Sequence, residues 1–193
     1  EINNKNDFIF NLYNERIIDS LDVINIKFKK ILILGDQGTK IYKYINKRFK
    51  KAKVTIYDIK DDNLVLYSEN TNKLTTDLDL WKPVINEFDL IISNFYLNIS
   101  EDLEILLDKI LKSLCPNGFF IATLPSPKNF SSLKHAMIET DIQLYGGAYN
   151  RFNPTLDLKS IINILKKINF KIPLLDSEKI YLEYKQFNKL LHD

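Results

Sequence analysis

The stretch ILILGDQGTK, residues 31 to 40, places a glycine turn directly after a short apolar run. In nucleotide-binding folds such a turn brings backbone amides close to the ligand, because glycine has no Cβ to obstruct the approach. Gly35 and Gly38 are the available glycines, and Gln37 precedes Gly38. We therefore expect Gly35, Gln37 and Gly38 to form a cofactor-binding loop. The alternative is a tight strand-to-helix turn that binds no ligand.

Asp58 is a second residue whose position suggests chemistry. It ends the next β-rich run, KVTIYD, 23 residues after Gly35. In dinucleotide-binding folds an acid about 20 residues after the glycines accepts hydrogen bonds from the ribose hydroxyls. We expect Asp58 to bind a ribose; the alternative is an ordinary residue of a strand-ending turn.

Other kinds of catalytic site have little support in the sequence. His135 and His192 lie far apart, and Cys115 is the single cysteine, so neither a metal-ligand spacing nor an internal disulfide is present. The paired acids at 61–62 and 101–102 are explained by a turn and by a helix N-terminus. We expect no metal site.

Composition indicates one domain, spanning residues 1–193, in which 45% of the residues are hydrophobic. The formal net charge of +2 gives no reason to expect a nucleic acid or an anionic membrane as partner, and the basic stretch 47–53 is interpreted as a solvated helix end. No apolar run approaches the roughly 20 residues that span a bilayer. Together with the lone cysteine, these features predict a cytoplasmic protein.

Helical and β-rich segments alternate along the chain, which predicts an α/β protein with a Rossmann-like, mostly parallel sheet and helices on both faces. The predicted helices are 7–24, 39–49, 100–113 and 157–168, and the predicted strands are 29–35, 53–58, 88–97 and 118–125. Ser100 is the expected cap of the third of these helices.

Two stretches predict departures from a purely parallel sheet. Only about five residues separate KVTIYD from the β-rich run 64–68, too few for a parallel crossover. Either 64–68 turns back as an antiparallel partner, or the usual third strand and its preceding helix are lost. At the other end, residues 170–184 contain two β-rich runs joined by DSEK, which predicts a closing antiparallel hairpin.

Two longer segments carry a family resemblance. FDLIISNFYLNISEDLEILLDKILKSLCPNGFFIAT is similar to the pattern FDLVxSNLxLHWVxDLxxxLxxIxxxLKPGGxFLAT of class I S-adenosylmethionine-dependent methyltransferases. GGAYNRFNPTLDLKSIINILKKINFKIPLLDSEKIYLEY resembles GGxxPRxxPFxDxxxxGxLLxxAGFxxPxxDxDxIxxxY. The second pattern belongs to the branch of the complex I assembly factor methyltransferases and, more distantly, malonyl-ACP O-methyltransferase. In that branch a further segment past the Tyr184 region helps to close the substrate pocket, so we expect either a C-terminally truncated chain or an absent lid.

The resemblance implies S-adenosylmethionine as the cofactor, but the marker glycines are incomplete. Set on the family pattern hhDhGxGxG, Gly35 matches, whereas Ile33 stands at the acid and Gln37 and Thr39 stand at the second and third glycines. Gly38 restores part of the loop if the turn slips by one residue. An acidic loop after the second strand contacts adenine in relatives, which makes Glu69, Asp77 and Asp79 weak candidates for that contact.

The remaining candidate site residues follow from the same resemblance. Ser93 and Asn94 are expected at the cofactor, and Tyr96 at the substrate, where the fourth strand opens toward the transferred methyl group; strand-end packing is the alternative. Tyr149 and Arg151, beside Gly146 and Gly147, are expected to bind an acidic or protein substrate, although a glycine pair also simply permits a turn.

Two functions follow from these observations. The first is an S-adenosylmethionine-dependent methyltransferase, or a hydroxylase on this fold, that acts on a protein or a carrier-bound acid. The second is a catalytically inactive assembly factor that binds a respiratory complex I subunit or another protein. A nucleic-acid methyltransferase is the least supported, because a basic surface signal is missing.

Overall fold

The computed structural model describes residues 8–36, 39–58, 67–68, 71–75, 77–152, 155–186 and 188–189. Its helices and strands alternate as the sequence predicts, which confirms the α/β class. In chain order they are α1 (Phe8–Asp22), β1 (Lys30–Leu34), α2 (Lys40–Arg48), β2 (Lys53–Asp58), β3 (Asn72–Thr75), β4 (Phe88–Asn94), a 3-10 turn (Leu97–Ile99), α3 (Leu103–Ser113), β5 (Leu114–Thr123), α4 (Ser131–Tyr145) and α5 (Leu158–Lys167).

The five strands form one parallel sheet in the order β3-β2-β1-β4-β5. Strands β1 and β2 are buried along almost their whole length, as expected for apolar runs covered on both faces. The order places β1 between β2 and β4, so the chain crosses over after β3. Ligands of parallel α/β sheets bind outside the carboxyl ends of the strands at such a reversal.

Two apolar clusters fill the space between the sheet and its helices. On one face α1 and α2 pack with Ile17, Leu21 and Ile41 against Ile31 and Ile33 of β1. On the other face α3 and α5 contribute buried leucines, together with Tyr57, Trp81 and Tyr96, against Leu32 and Leu34. The prediction of helices on both faces is confirmed.

The predicted antiparallel hairpin at 170–184 is wrong. The sheet is entirely parallel, and residues 173–184 have no regular secondary structure. A strand needs a buried side to hold its register, yet Ile172, Leu174 and Tyr181 are 87%, 93% and 80% exposed. The alternating pattern indicates β-propensity. A strand pairs in a fixed register only when one of its faces is buried, and these residues remain exposed.

The third strand is present, contrary to the prediction that it is lost or replaced by an antiparallel run. Strand β3 lies parallel to β2, with Thr55 opposite Asn72 and Asp58 opposite Thr75. The sequence gives no signal for it because all four residues, NKLT, are exposed and only one of them is apolar. Residues 64–66 of the predicted antiparallel run, and the position of the helix thought to be lost, lie outside the described residues.

Two helices differ from the prediction. Helix α3 begins after Asp102, whose carboxylate accepts the Ile105 N–H at 3.1 Å, whereas the predicted cap Ser100 donates to Asp79. Helix α4 was not predicted at all. Its apolar residues do not gather on one buried side, and Asp141 is its one buried residue, so it lacks the periodic signal of a core helix.

Candidate functional site

The carboxyl edge of the sheet brings together three of the predicted site residues. Gly35 follows β1, Asp58 ends β2, and Tyr96 follows β4, the neighbour of β1 on the other side. The Gly35 N–H donates to the Tyr57 carbonyl oxygen at 2.8 Å, which fixes the turn against the end of β2. The parallel register thus brings these three residues together at the expected edge of the sheet.

Tyr96 occupies the space over the Gly35 turn. Gly35 has a positive φ of 65°, and a Cβ built on it meets the Tyr96 ring carbons Cδ2, Cγ and Cε2 at 2.0, 2.4 and 2.6 Å. Real Cβ contacts are never so short, so only glycine permits this packing. In this structure Gly35 therefore serves the approach of an aromatic ring of the protein itself, where the sequence predicts a cofactor.

The same tyrosine reaches Asp58. Its hydroxyl lies 3.4 Å from Asp58 Oδ1, and both side chains are buried, with 6% and 2% of their surface exposed. Tyr57 and Trp81 continue the aromatic layer. The ring centroid of Tyr57 lies 6.4 Å from that of Tyr96 and 6.2 Å from that of Trp81. Burial raises the pKa of the Tyr57 hydroxyl well above its usual range. The acid predicted to bind ribose thus faces the hydroxyl of Tyr96.

Asp36 is a site residue that the sequence analysis missed. It is 3% exposed, its Oδ2 accepts the Tyr42 N–H at 3.0 Å near the start of α2, and its Oδ1 has no hydrogen-bond partner among the described residues. Burial raises the pKa of this carboxyl to about 6, although the backbone amides of Tyr42 and Ile41 oppose the rise. The available signal was an acid shortly before a helix, where a carboxylate complements the free amides.

Thr39, which stands at the position of the family's third glycine, has an unusual backbone conformation. Its φ of 63° lies in the left-handed region, which is uncommon for a β-branched residue. The turn into α2 therefore follows a glycine-like path with a threonine side chain in it. Gln37 and Gly38, the other predicted loop residues, lie outside the described residues.

Ser93 and Asn94 face opposite sides of the sheet. Asn94 Nδ2 donates to Asn14 Oδ1 at 2.7 Å and to the Phe10 carbonyl at 3.2 Å, and its Oδ1 accepts the Thr123 hydroxyl at 2.5 Å. Asn94 thus joins α1 to β4 and β5. Ser93 is fully buried and lies opposite Leu34, and within the part of the chain that the structure describes its Oγ has no hydrogen-bond partner.

Tyr149 and Arg151 follow α4 rather than the carboxyl ends of the strands. Arg151 Nε and Nη2 donate to Asp141 at 2.9 and 2.6 Å, and the Tyr149 N–H donates to the same carboxylate at 3.3 Å. The hydrogen bonds of Arg151 hold the pKa of Asp141 below its usual range. The two residues border a cavity of about 290 Å³ beside Lys134 and Ile138, where Arg151 is already paired.

The candidates for an adenine contact have other roles. Asp79 accepts the Ser100 hydroxyl at 2.5 Å and the Glu101 N–H at 3.1 Å, and these bonds lower its pKa. Asp77 accepts the Asp79 N–H at 2.9 Å. Both acids therefore stabilise the loops before α3, and Glu69 lies outside the described residues.

The described residues do not fit S-adenosylmethionine as they are arranged. The Tyr96 ring fills the cradle at Gly35 in which the family binds the cofactor, and its hydroxyl faces the acid meant for the ribose. A cofactor in this position requires the Tyr96 side chain to move.

Across the described ranges, histidine, cysteine and carboxylate side chains do not form a group that could hold a metal ion. The helices that the structure describes are too short or too polar to cross a bilayer.

Comparison with known proteins gives relatives for nearly the whole chain. Over 97% of its length it is 28% identical to a mitochondrial arginine-hydroxylase, NDUFAF5, of Dictyostelium discoideum, covering 48% of that protein. It is 20% identical to malonyl-[acyl-carrier protein] O-methyltransferase 1 of Coxiella burnetii, covering 93% of this chain and 60% of the relative. The chain thus spans roughly half to three fifths of their lengths. No protein-family model matches it.

Solved structures agree on the fold. An S-adenosylmethionine-dependent methyltransferase of Mesorhizobium loti superposes with a TM-score of 0.61 at 16% identity, over 83% of this chain and 82% of that one. Together with the sequence relatives, this confirms the resemblance carried by the FDLIISNFYL and GGAYNRF segments. The chain therefore has the fold of class I S-adenosylmethionine-dependent methyltransferases, and its sequence is similar to the branch that contains the NDUFAF5 and malonyl-[acyl-carrier protein] O-methyltransferase relatives.

Proposed function

We propose that this chain is a methyltransferase-fold protein that acts by binding a protein partner and does not use S-adenosylmethionine. The observation that carries the proposal is the Tyr96 ring between the Gly35 turn and Asp58. Because Tyr96, Gly35 and Asp58 are all buried or closely packed, the cradle is part of the core rather than an open cleft.

The marker positions support the same proposal. Ile33 lies in the apolar core where the family has an acid, and Thr39 replaces a glycine in the left-handed region. Asp36 supplies its own carboxylate to the start of α2, where a free helix N-terminus would otherwise attract an anion. Each of these features weakens the case for a bound cofactor without disturbing the fold.

Helix α4 supports a protein-binding role. Large apolar side chains recur along one side of it and remain exposed by 42%, 53% and 62%; they are Ile138, Ile142 and Tyr145. Contiguous apolar surface on a folded domain commonly marks an interaction site. By resemblance, the partner we propose is a respiratory complex I subunit or an acyl carrier protein.

The second candidate is the active enzyme: S-adenosylmethionine-dependent modification of a protein or a carrier-bound acid. It is favoured by Asp58, which ends β2 at the position of a ribose-binding acid. This function requires a conformation in which Tyr96 leaves the Gly35 turn.

Calorimetric titration with S-adenosylmethionine and S-adenosylhomocysteine separates the two candidates. We expect no binding to the unaltered chain at millimolar ligand, since the Tyr96 ring fills the cradle. Tyr96→Ala should gain binding, whereas Tyr96→Phe, which keeps the ring and loses only the hydroxyl, should not. Tyr149→Ala is the control for removal of a tyrosine away from the cleft.

Micromolar binding by the unaltered chain, about −8 kcal/mol, would overturn the proposal in favour of the enzyme. If neither the unaltered chain nor Tyr96→Ala binds, the protein-binding role stands and the obstacle lies in the other changed positions. Thermal unfolding of each variant checks that the fold is kept.

A further inference from the structure

The amino edge of the sheet carries a concentration of lysines that the net charge hides. Two segments form it, and together we call them the basic edge: residues 23–30, which lead into the start of β1, and residues 47–53, which run from the end of α2 to the start of β2. Six lysines of the basic edge have no ion pair among the described residues: Lys27, Lys29, Lys47, Lys50, Lys51 and Lys53.

The sheet register holds the two segments side by side. Lys30 and Lys53 are Cα partners in the parallel ladder, and the Lys53 N–H donates to the Lys29 carbonyl at 2.7 Å. Phe28 and Phe49, one from each segment, pack edge to face with ring centroids 5.4 Å apart. The lysines therefore share one surface in the folded chain although they lie about 20 residues apart in sequence.

Acids that face the basic edge do not neutralise it. Asp22 pairs with Arg48 at 2.6 Å, Glu87 pairs with Lys30 at 3.2 Å, and Asp89 accepts the backbone N–H groups of Lys29 and Lys30. Each of these carboxylates is thus already engaged. Several acids lie at the other end of the strands, the carboxyl edge; they are Asp36, Asp58, Asp77, Asp79 and Asp102.

Apolar residues of the basic edge indicate which anionic partner fits. Val23 and Ile26 are 84% and 44% exposed, next to the lysines, whereas Phe28 and Phe49 are 4% and 8% exposed. Nucleic-acid surfaces stack bases on accessible aromatic rings, and the described rings here are buried. Exposed aliphatic side chains among lysines suit the boundary of lipid headgroups and acyl chains.

The kind of cation gives the same preference. The one arginine of the basic edge, Arg48, is held by Asp22, Tyr44 and the Ile24 carbonyl. The unpaired cations are lysines, which act as mobile point charges rather than as a fixed fork for one carboxylate or phosphate. Such charges match a fluid array of headgroups better than a single defined anion.

We propose that the basic edge binds the chain to the surface of an anionic lipid bilayer, with Val23 and Ile26 entering the headgroup layer. The basic edge lies at the opposite edge of the sheet from Gly35 and Asp58. The membrane proposal therefore does not depend on the function proposed above. A bilayer-bound chain would therefore leave the carboxyl edge accessible to a partner.

Co-sedimentation with vesicles tests the proposal. The unaltered chain should bind vesicles of phosphatidylcholine mixed with phosphatidylglycerol, release them at high salt, and ignore vesicles of phosphatidylcholine alone. A basic residue near an anionic surface contributes roughly fivefold in affinity. The triple variant Lys50→Glu, Lys51→Glu and Lys53→Glu should therefore bind at least about 100-fold more weakly.

The matched control reverses three exposed lysines elsewhere, Lys128→Glu, Lys159→Glu and Lys171→Glu. It makes the same change in net charge and should keep most of the binding. Equal losses in both triple variants would mean that net charge alone acts, and the proposal fails. It also fails if the unaltered chain ignores anionic vesicles, or if a duplex oligonucleotide or polyglutamate binds more tightly than the vesicles do.

Discussion

At the scale of single residues, the Tyr96 side chain after β4 determines whether the space between Gly35 and Asp58 is open to a ligand. Gly35 keeps the backbone of a cofactor turn, and Asp58 keeps the acid at the end of β2, yet Tyr96 connects them. A retained glycine therefore has two explanations that the sequence alone cannot separate: room for a ligand, or room for an aromatic ring. Here the ring accounts for it.

Asp36 predicts an unusual pH dependence. Its folded pKa of about 6 lies above the ordinary value of 3.8, so between about pH 4 and pH 6 the folded chain keeps a proton that the unfolded chain has lost. The free energy of unfolding should fall as the pH rises through this window, by up to about 3 kcal/mol. Asp36→Asn has no carboxyl group to ionise at this position. Its free energy of unfolding at pH 7 should therefore be higher than that of the unaltered chain.

Urea unfolding of both proteins at several pH values measures the effect. Asp157→Asn is the control, because hydrogen bonds from Ser160 lower the pKa of Asp157 and its contribution is instead lost as the pH falls. Parallel curves for Asp36→Asn and the unaltered chain would contradict the assignment.

At the scale of elements, a buried polar network fixes α1 to the sheet. Asn94 is 3% exposed and bonds Asn14 of α1, the Phe10 carbonyl, and Thr123 at the end of β5. Helix α1 reaches the carboxyl edge through these bonds as well as through the leucine and isoleucine contacts below it.

Asn94→Ala should lower the free energy of unfolding by about 1–3 kcal/mol, because the buried Asn14 Oδ1 loses its donor and the Thr123 hydroxyl loses its acceptor. Denaturant unfolding measures the change. Asn129→Ala, at an exposed position, should change stability by less than about 0.5 kcal/mol. Similar values for the two variants would show that the network does not stabilise the fold.

At the scale of the whole molecule, the fold brings lysines that are distant in sequence onto one surface. The basic edge carries six lysines without an ion pair among the described residues, so a net charge of +2 does not describe this surface. Composition alone gives no reason to expect an anionic membrane as partner, and the proposal of one rests on the lysines that the sheet register brings together.

Hydrogen exchange on anionic vesicles tests this orientation. Amides in 23–30 and 47–53 should exchange more slowly on vesicles than in solution, because the bilayer covers them, while those of α4 should be unchanged. Phosphatidylcholine vesicles serve as the reference. Slower exchange in α4 without a change in the basic edge would place the bilayer on the other surface.

Much of the fold follows from local patterns. The apolar runs of β1, β2 and β4 and the helices between them were predictable because burial on both faces leaves a continuous hydrophobic signal. Strand β3 was not predictable, since its residues are exposed, and the C-terminal hairpin was predicted wrongly, since alternation does not supply a partner strand. Helix α4 was missed because it buries little apolar surface.

The sequence by itself determined the α/β class, the family resemblance, and the positions of Gly35 and Asp58 at strand ends, because these depend on residue order and periodicity. Only the tertiary structure decided that Tyr96 fills the cleft, that Arg151 is paired with Asp141, and that distant lysines share one surface. Those features depend on which side chains the sheet register brings together, and spacing along the chain does not specify that register.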